Sequence, residues 1–370
     1  MRFDLSPEQR DLGQVLRRLL AGEGTVEAIV ARSRRERDRA DPLWRRLSAE
    51  MGLVGLTLGA PGERIGTHVD LGVVARELGR VLYPGPYFST VLAATCLEAV
   101  ASSGNHPAAA SALSRVAEHG TAGTVAGFRA FGQTPLTARP EAGGGSWSVD
   151  GTDGLVLDGL SAEIVVAVAD TGGSTGLFLL ECPEDLHRAP RPHIDLNREI
   201  ASVEFTRARA RLLIPDASAL HSRLVQLACG YLASEQVGAA GRCLELMVEH
   251  ATQRRQFGRP IGSFQAVKHL CAQAALIVES LDVEVLYATH SLDDPVEATS
   301  TVARMAKSAA SDGLFEVAGS LIQVLGGMGF TWEHAAHHYF RRATSSRQLF
   351  GTPTQHRDVV AGSLLAGIRP

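Results

Sequence analysis

No run of about 18 or more apolar residues occurs in this chain, so nothing in the sequence is expected to cross a membrane. Its opening, MRFDLSPEQRDLGQVL, is charged throughout and lacks the apolar centre of a signal peptide. The five cysteines (Cys96, Cys182, Cys229, Cys243 and Cys271) are scattered, odd in number and never in C-x-x-C spacing. That argues against a disulfide scaffold or a zinc site, and fits a reducing cytoplasm as the expected location. No dense Lys/Arg stripe interleaves with aromatics, and the formal net charge is -4, so no nucleic-acid partner is expected. There is no internal repeat and no long low-complexity segment.

What is present is a chain of 370 residues, too long for one ordinary core, with 45% hydrophobic and 21% charged residues as in globular proteins. Its texture changes twice. Residues 1–118 read as an N-terminal helical domain: Ser6-Pro7-Glu8-Gln9 is a capping box with proline in the first turn. Trp44, Leu47, Met51 and Leu53 suggest a second apolar face, and Asp70 to Leu82 and Ser89 to Val100 continue the helical pattern. Residues 119–214 are glycine-rich with short β-prone runs at Trp147–Asp150, Ile164–Ala169, Gly176–Leu180 and Val203–Phe205, which predict a middle antiparallel β sandwich or barrel, although pattern alone also allows buried helical runs of this length. From 215 to 370 the pattern is helical again. Val267, Leu270, Ala274, Ile277, Leu281 and Val285 form one long stripe, and Leu244, Val248 and Ala251 another. Ser291 to Ala298 reads as a connection, and Thr352-Pro353-Thr354-Gln355 as a capping box that opens a last helix through Ala366. The fold class is therefore mostly α with a β domain inserted, ending in a helical bundle.

Two motifs carry chemistry. The first runs from Gln253 through Arg254-Arg255-Gln256-Phe257-Gly258-Arg259-Pro260 to Gln265. Two arginines precede a Phe-Gly break, making a cationic loop suited to phosphate, since guanidinium offers bidentate donors. The same arginines could instead complement the C-terminus of the preceding helix. The second is Gln323-Val324-Leu325-Gly326-Gly327-Met328-Gly329-Phe330. Its glycines allow close backbone approach to a ligand, or simply a tight turn. The histidines His334, His337 and His338 share a helical face, but no set of further ligands stands near them in sequence, so no metal is expected.

With Thr331-Trp332-Glu333-His334, these motifs resemble the two C-terminal signatures of acyl-CoA dehydrogenases, and Leu43-Trp44, Glu77-Leu78-Gly79, Pro84-Gly85-Pro86 and Trp147–Gly151 are similar to other parts of that family. The resemblance implies an N-terminal helical domain, a β domain and a four-helix C-terminal domain that assembles into dimers and tetramers. It also implies FAD as cofactor, an acyl-CoA thioester as substrate and an electron-transfer flavoprotein as redox partner. By matching position, Arg254 and Gln256 would reach the pyrophosphate of a neighbour's FAD, Phe257 its adenosine side, and Gln323, Gly326 and Gly327 the same dinucleotide. The stretch Leu58–Glu63 is a candidate for the substrate side.

The chain departs from the family where the proton is removed. The family's carboxylate precedes a Gly-Thr near the C-terminus; here Phe350 precedes Gly351-Thr352. A smaller set of members places the base on the first long C-terminal helix, which maps to Ala228, flanked by Leu227 and Cys229. Neither position can take a proton. The family's acidic-Pro-x-x-Gly-Ser segment is also absent from Gly132 to Arg139. No catalytic residue is therefore assigned, and Glu235, Glu245 and Glu249 are read as structural. The resemblance is to the base-less subunit of actinobacterial α2β2 acyl-CoA dehydrogenases, which completes the FAD site of a homologous chain carrying the catalytic glutamate. Two alternatives stand beside it: a self-sufficient homo-oligomeric flavoenzyme with a displaced base, and an assembly scaffold without flavin.

Overall fold

The computed structural model describes residues 4–26, 28–29, 41–59, 64–102, 106–142, 145–293, 299–332 and 334–366. Helix α1 (Pro7–Gly22) opens at the capping box: the Gln9 amide donates to Ser6 Oγ at 3.2 Å, and the Ser6 amide to Gln9 Oε1 at 2.9 Å. Short helix α2 (Pro42–Arg45) passes into a π-helical turn at Arg46–Glu50. It buries Trp44 and Leu47, with Leu53 just beyond the turn, whereas Met51 is only partly covered. Helices α3 (His68–Arg80), α4 (Tyr87–Ala101) and α5 (Pro107–His119) complete the first part. Helix α4 has no polar face, because it lies between the N-terminal helices and the β domain and is apolar around most of its circumference.

The strands are β1 (Gly123–Ala126), β2 (Leu136–Pro140), β3 (Trp147–Leu157), β4 (Ile164–Asp170), β5 (Thr175–Leu180), β6 (His187–Pro190) and β7 (Ile200–Ile214). The order β4-β2-β3-β7-β5 returns to β4, which closes a small barrel and leaves β1 and β6 as additions on β4 and β7. Most pairings are antiparallel, as expected. The exceptions are both on β4: β1 runs parallel to it, and β2 meets it in parallel at Thr137 and Asp170. The unbroken apolar run of β4 follows from burial on both faces. Val165, Ala167 and Ala169 point into the barrel, while Ile164, Val166 and Val168 pack on the helices.

The C-terminal part contains α6 (Ser218–Gln253), a ribbon of β8 (Arg255–Gln256) and β9 (Arg259–Pro260), then α7 (Gln265–Asp293), α8 (Thr299–Leu325), α9 (Ala336–Ser346) and α10 (Pro353–Ala366). The expected connection at Ser291 to Ala298 begins later than the sequence indicates. Helix α7 continues through Asp293, whose Oδ1 accepts from the His68 amide at 2.7 Å and so caps α3. Residues 294–298 lie outside the described residues. Of the α7 stripe, Ala274, Leu281 and Val285 are buried and Val267, Leu270 and Ile277 partly so. Val248 faces outward on α6. By length and hydropathy, α8 and its following turn could span a membrane. It packs against α6, α7 and α10, burying Lys307, Ser308 and Ser311 among its apolar residues.

The contact of α3 with α6 explains one glycine of the N-terminal motif. A Cβ on Gly79 would lie 2.1 Å from the Glu235 carbonyl oxygen, and one on Gly238 would lie 1.9 Å from that of Arg76. The two helices cross with backbone against backbone, which only glycine permits.

Candidate functional site

The two C-terminal motifs occupy neighbouring turns at one end of the bundle. Helix α6 ends at Gln253, and Arg254 leaves it in an extended conformation, with its amide bonded to the His250 carbonyl at 2.9 Å. Arg254, Arg255, Gln256, Phe257 and Arg259 are all exposed. Among the described residues no carboxylate pairs with Arg254 or Arg255, and neither guanidinium bonds a carbonyl of the last turn of α6. Arg255 reaches the Gly258 carbonyl at 3.3 Å. The helix-complementing role open to these arginines thus has no hydrogen bond behind it. Phe257 stands 91% exposed with φ 52, a left-handed conformation that a bulky side chain rarely adopts.

The second motif closes α8. Gln323 is exposed on its last turn, and Gly326 to Phe330 form a 3-10 turn. Nothing lies within 4 Å of a Cβ built on Gly326 or Gly327, so that backbone is open to an approaching molecule. Gly329 is different: its Cβ would meet the Ile322 carbonyl at 2.8 Å, a packing constraint. Phe330 and Trp332 are exposed, and Arg341 lies 5.0 Å over the Trp332 ring. His334 on this side acts on His250 on the other, which places the two motifs side by side: burial, His334 and Arg254 together hold the His250 imidazole below its usual pKa. No group of three metal-binding side chains forms among the described residues.

The two base positions lie elsewhere. Phe350 has φ 56 and packs its ring at 5.5 Å from Phe88 and 5.6 Å from Phe128. Ala228 is fully buried on α6 in the same apolar cluster. The loop carrying Phe350 is tied from behind. Lys307 Nζ donates to Ser311 Oγ at 2.7 Å and to the Ser346 carbonyl at 3.1 Å, and burial pushes its pKa down to about 8. The capping box of α10 forms as expected, with the Thr352 amide donating to Gln355 Oε1 at 2.9 Å.

The other glutamates of α6 are committed to ion pairs or solvent. Glu235 lies between Arg198 and Arg342, 2.9 Å from Arg342 Nη1. Burial alone would raise its carboxyl, but the two guanidinium groups hold it below the ordinary range. Arg342 also binds Asp195, and both side chains are 1% exposed. Glu245 pairs with Arg80 at 2.7 Å and Arg242 at 2.9 Å, and Glu249 is exposed. The sequence gives no sign of the Arg342 network, since its partners come from α6 and from the loop before β7.

Beside Phe350 lies a cavity of about 480 Å³ between the barrel, α4 and the C-terminal helices, walled by Leu92, Phe128, Phe131, Leu157, Ile200 and Phe350. None of Arg254, Gln256, Phe257, Gln323, Gly326 or Gly327 lines it. Sequence reasoning missed its aromatic walls, and missed Asp158, which accepts a 2.6 Å hydrogen bond from Ser89 Oγ of the lining. Burial, reinforced by Glu199, pushes the Asp158 carboxyl up to about 7. Of the Leu58–Glu63 stretch, Gly59 donates its amide to Glu98 Oε1 at 2.5 Å, and residues 60–63 lie outside the described residues.

Comparison with known proteins gives concordant results. A profile for "Acyl-CoA dehydrogenase, C-terminal domain" matches residues 225–365. The chain is 33% identical to acyl-CoA dehydrogenase IpdE2 of Mycobacterium tuberculosis, over 94% of this chain and 95% of that one. It is 32% identical to the Mycolicibacterium smegmatis protein of the same name, over 95% of this chain and 97% of that one. Among solved structures, a Tcur3481-Tcur3483 steroid ACAD variant aligns over 98% of each chain at 25% identity, with a TM-score of 0.85. The ChsE4-ChsE5 complex of M. tuberculosis aligns over 99% of each chain at 24% identity, with a TM-score of 0.84, which speaks to fold.

Proposed function

Because this chain belongs to the acyl-CoA dehydrogenase family, we propose that it is the complementing subunit of a heteromeric dehydrogenase, lending its C-terminal loops to the FAD of a homologous chain that carries the catalytic glutamate. Members of the family are FAD-binding flavoproteins. One observation carries the reading: the loops at Arg254–Phe257 and Gln323–Gly327 are exposed and largely unengaged, while both base positions hold side chains that cannot take a proton.

The residues fit the cofactor. Arg254 and Gln256 would hold the pyrophosphate, Phe257 would lie against the adenosine side, and the open backbone at Gly326 and Gly327, with Gln323, would take the rest of the dinucleotide. When bound, FAD supplies the hydride acceptor for α,β-desaturation of an acyl-CoA thioester. This chain's contribution is to bind and orient it, with the proton removed by the partner. The proposed assembly works in the cytoplasm and passes its electrons to an electron-transfer flavoprotein. Two structural neighbours, a Tcur3481-Tcur3483 steroid ACAD and a ChsE4-ChsE5 complex, are named for paired chains and support a paired arrangement here.

The test is the FAD-to-protein ratio of the chain purified alone and co-expressed with a homologous neighbour. A colourless lone chain, and a pair holding about one FAD per two chains, are the expected results. A lone chain that holds one FAD and reduces it with an acyl-CoA would establish the self-sufficient reading, which the retained cavity beside Phe350 favours. A pair that keeps its flavin after Arg254→Ala would leave only a scaffold role.

A further inference from the structure

A different cavity, of about 630 Å³, lies between the ends of α1 and α3, the middle of α6 and the turn before α9. None of Arg254, Gln256, Phe257, Gln323, Gly326 or Gly327 lines it, and neither does Phe350. Three guanidinium groups line it, one each from α1 (Arg17), α3 (Arg80) and α6 (Arg242), against one carboxylate, Glu77. That carboxylate is committed to the wall. Its oxygens accept from Arg17 Nε at 2.9 Å and Arg17 Nη2 at 2.6 Å, Arg80 Nε stands 3.5 Å away, and its side chain is 4% exposed. Glu245, outside the lining, pairs with Arg80 at 2.7 Å and with Arg242 at 2.9 Å. Three cations against these two carboxylates leave one positive charge at the cavity.

Donors remain on the exposed side of these pairs. The Arg17 side chain is 54% exposed and that of Arg242 37%. Among the described residues, Arg17 Nη1 and Arg242 Nε and Nη2 make no hydrogen bond. Guanidinium N–H groups in this state suit a carboxylate or phosphate oxygen. The rest of the wall is apolar: Leu20 and Val26 are buried, Val81 and Leu246 partly so. The Tyr339 ring is 0% exposed and offers no face for stacking, which favours an aliphatic body over an aromatic one. The volume is within the range of small-molecule sites. We propose that this cavity is a binding site, separate from the flavin loops, for a small aliphatic anion. Its carboxylate or phosphate head lies on Arg17 and Arg242, and its short hydrocarbon body lies against Leu20 and Leu246.

Three probes with one hydrocarbon chain separate the head group from the body: hexanoate, hexyl phosphate and uncharged 1-hexanol. In calorimetric titration of the full chain, at least one of the two anions should bind once per chain, about tenfold or more tightly than 1-hexanol. Arg242→Gln leaves Glu245 paired with Arg80 and should weaken that anion about tenfold, with 1-hexanol unchanged. Ala21→Trp, at an exposed lining position, should weaken the anion by as much through bulk alone. Thermal unfolding checks that both variants keep the fold. Anions bound no more tightly than the alcohol, no anion binding up to about 1 mM, or indifference to both substitutions would overturn the proposal. None of these outcomes bears on the FAD ratio of the wild-type pair, so the two readings fail separately.

Discussion

Two Phe-Gly pairs, Phe257-Gly258 and Phe350-Gly351, share one backbone conformation and nothing else. Both phenylalanines are left-handed, at φ 52 and φ 56, and both glycines follow at positive φ, 77 and 105. Phe257 is 91% exposed, whereas Phe350 packs against Phe88 and Phe128. Strain of about 1–3 kcal/mol is expected at each. At Phe350 the apolar packing offsets it within the chain. At Phe257 the chain offers only an edge-to-face contact with the Phe264 ring at 6.1 Å. The same contrast holds for charge: Arg342 is sealed into a network with Asp195 and Glu235, while Arg254 and Arg255 are left to solvent. One region serves the fold; the other is the one that the proposed function assigns to a partner's cofactor.

The contrast breaks most visibly at Arg342. Arg342→Ala leaves Asp195 buried without its close cation and Glu235 with Arg198 alone, and chemical denaturation should record a loss of about 3–5 kcal/mol. Arg254→Ala should barely move the melting of the lone chain. It should weaken FAD retention by the co-expressed pair about 10- to 100-fold, the range for a lost charge-assisted hydrogen bond, measured by flavin release on dilution. If Arg254→Ala instead destabilised the lone chain as Arg342→Ala does, the division into fold-serving and partner-serving regions would be wrong.

The glycine substitutions sharpen it. Phe350→Gly relieves strain but empties packed volume, for a net loss of about 1–3 kcal/mol. Asp158→Asn acts through pH. The folded carboxyl, pushed up to about 7, stands above the ordinary aspartate value of 3.8, so the folded state binds the extra proton and loses stability as pH rises from about 4 through 7. Removing that group should leave pH 4 stability unchanged and raise it by about 1 kcal/mol or more at pH 8, read from melting curves at the two pH values. Phe257→Gly has the smallest effect and the opposite sign to Phe350→Gly: the lone chain gains up to about 1 kcal/mol.

Much of the fold was legible. Both capping boxes, the α7 stripe and the four β runs identified in the sequence fall within the elements described, because each depends on contiguous residues and a local period. Strands β1, β2 and β6 were not read: all are short, β2 alternates over only five residues that end in proline, and β6 does not alternate. The end of α7 was misplaced because Asp293, in an otherwise turn-like acidic segment, is used as a cap for another helix. At the site, the motif loops could be read because their residues are adjacent in sequence. The cavity walls could not.

The sequence by itself determined the order of helical, β and helical parts, the two C-terminal loops, and the absence of a carboxylate at Phe350 and Ala228. These are properties of residue identity and local spacing, which no packing can alter. Tertiary structure decided the rest. It locked Glu235 between Arg198 and Arg342 and so removed it as a base, brought Phe88, Phe128 and Phe350 together, and left Arg254 and Phe257 in solvent. Each of these depends on which distant side chains meet, and burial and charge at a site are set by those neighbours rather than by the segment that carries the residue.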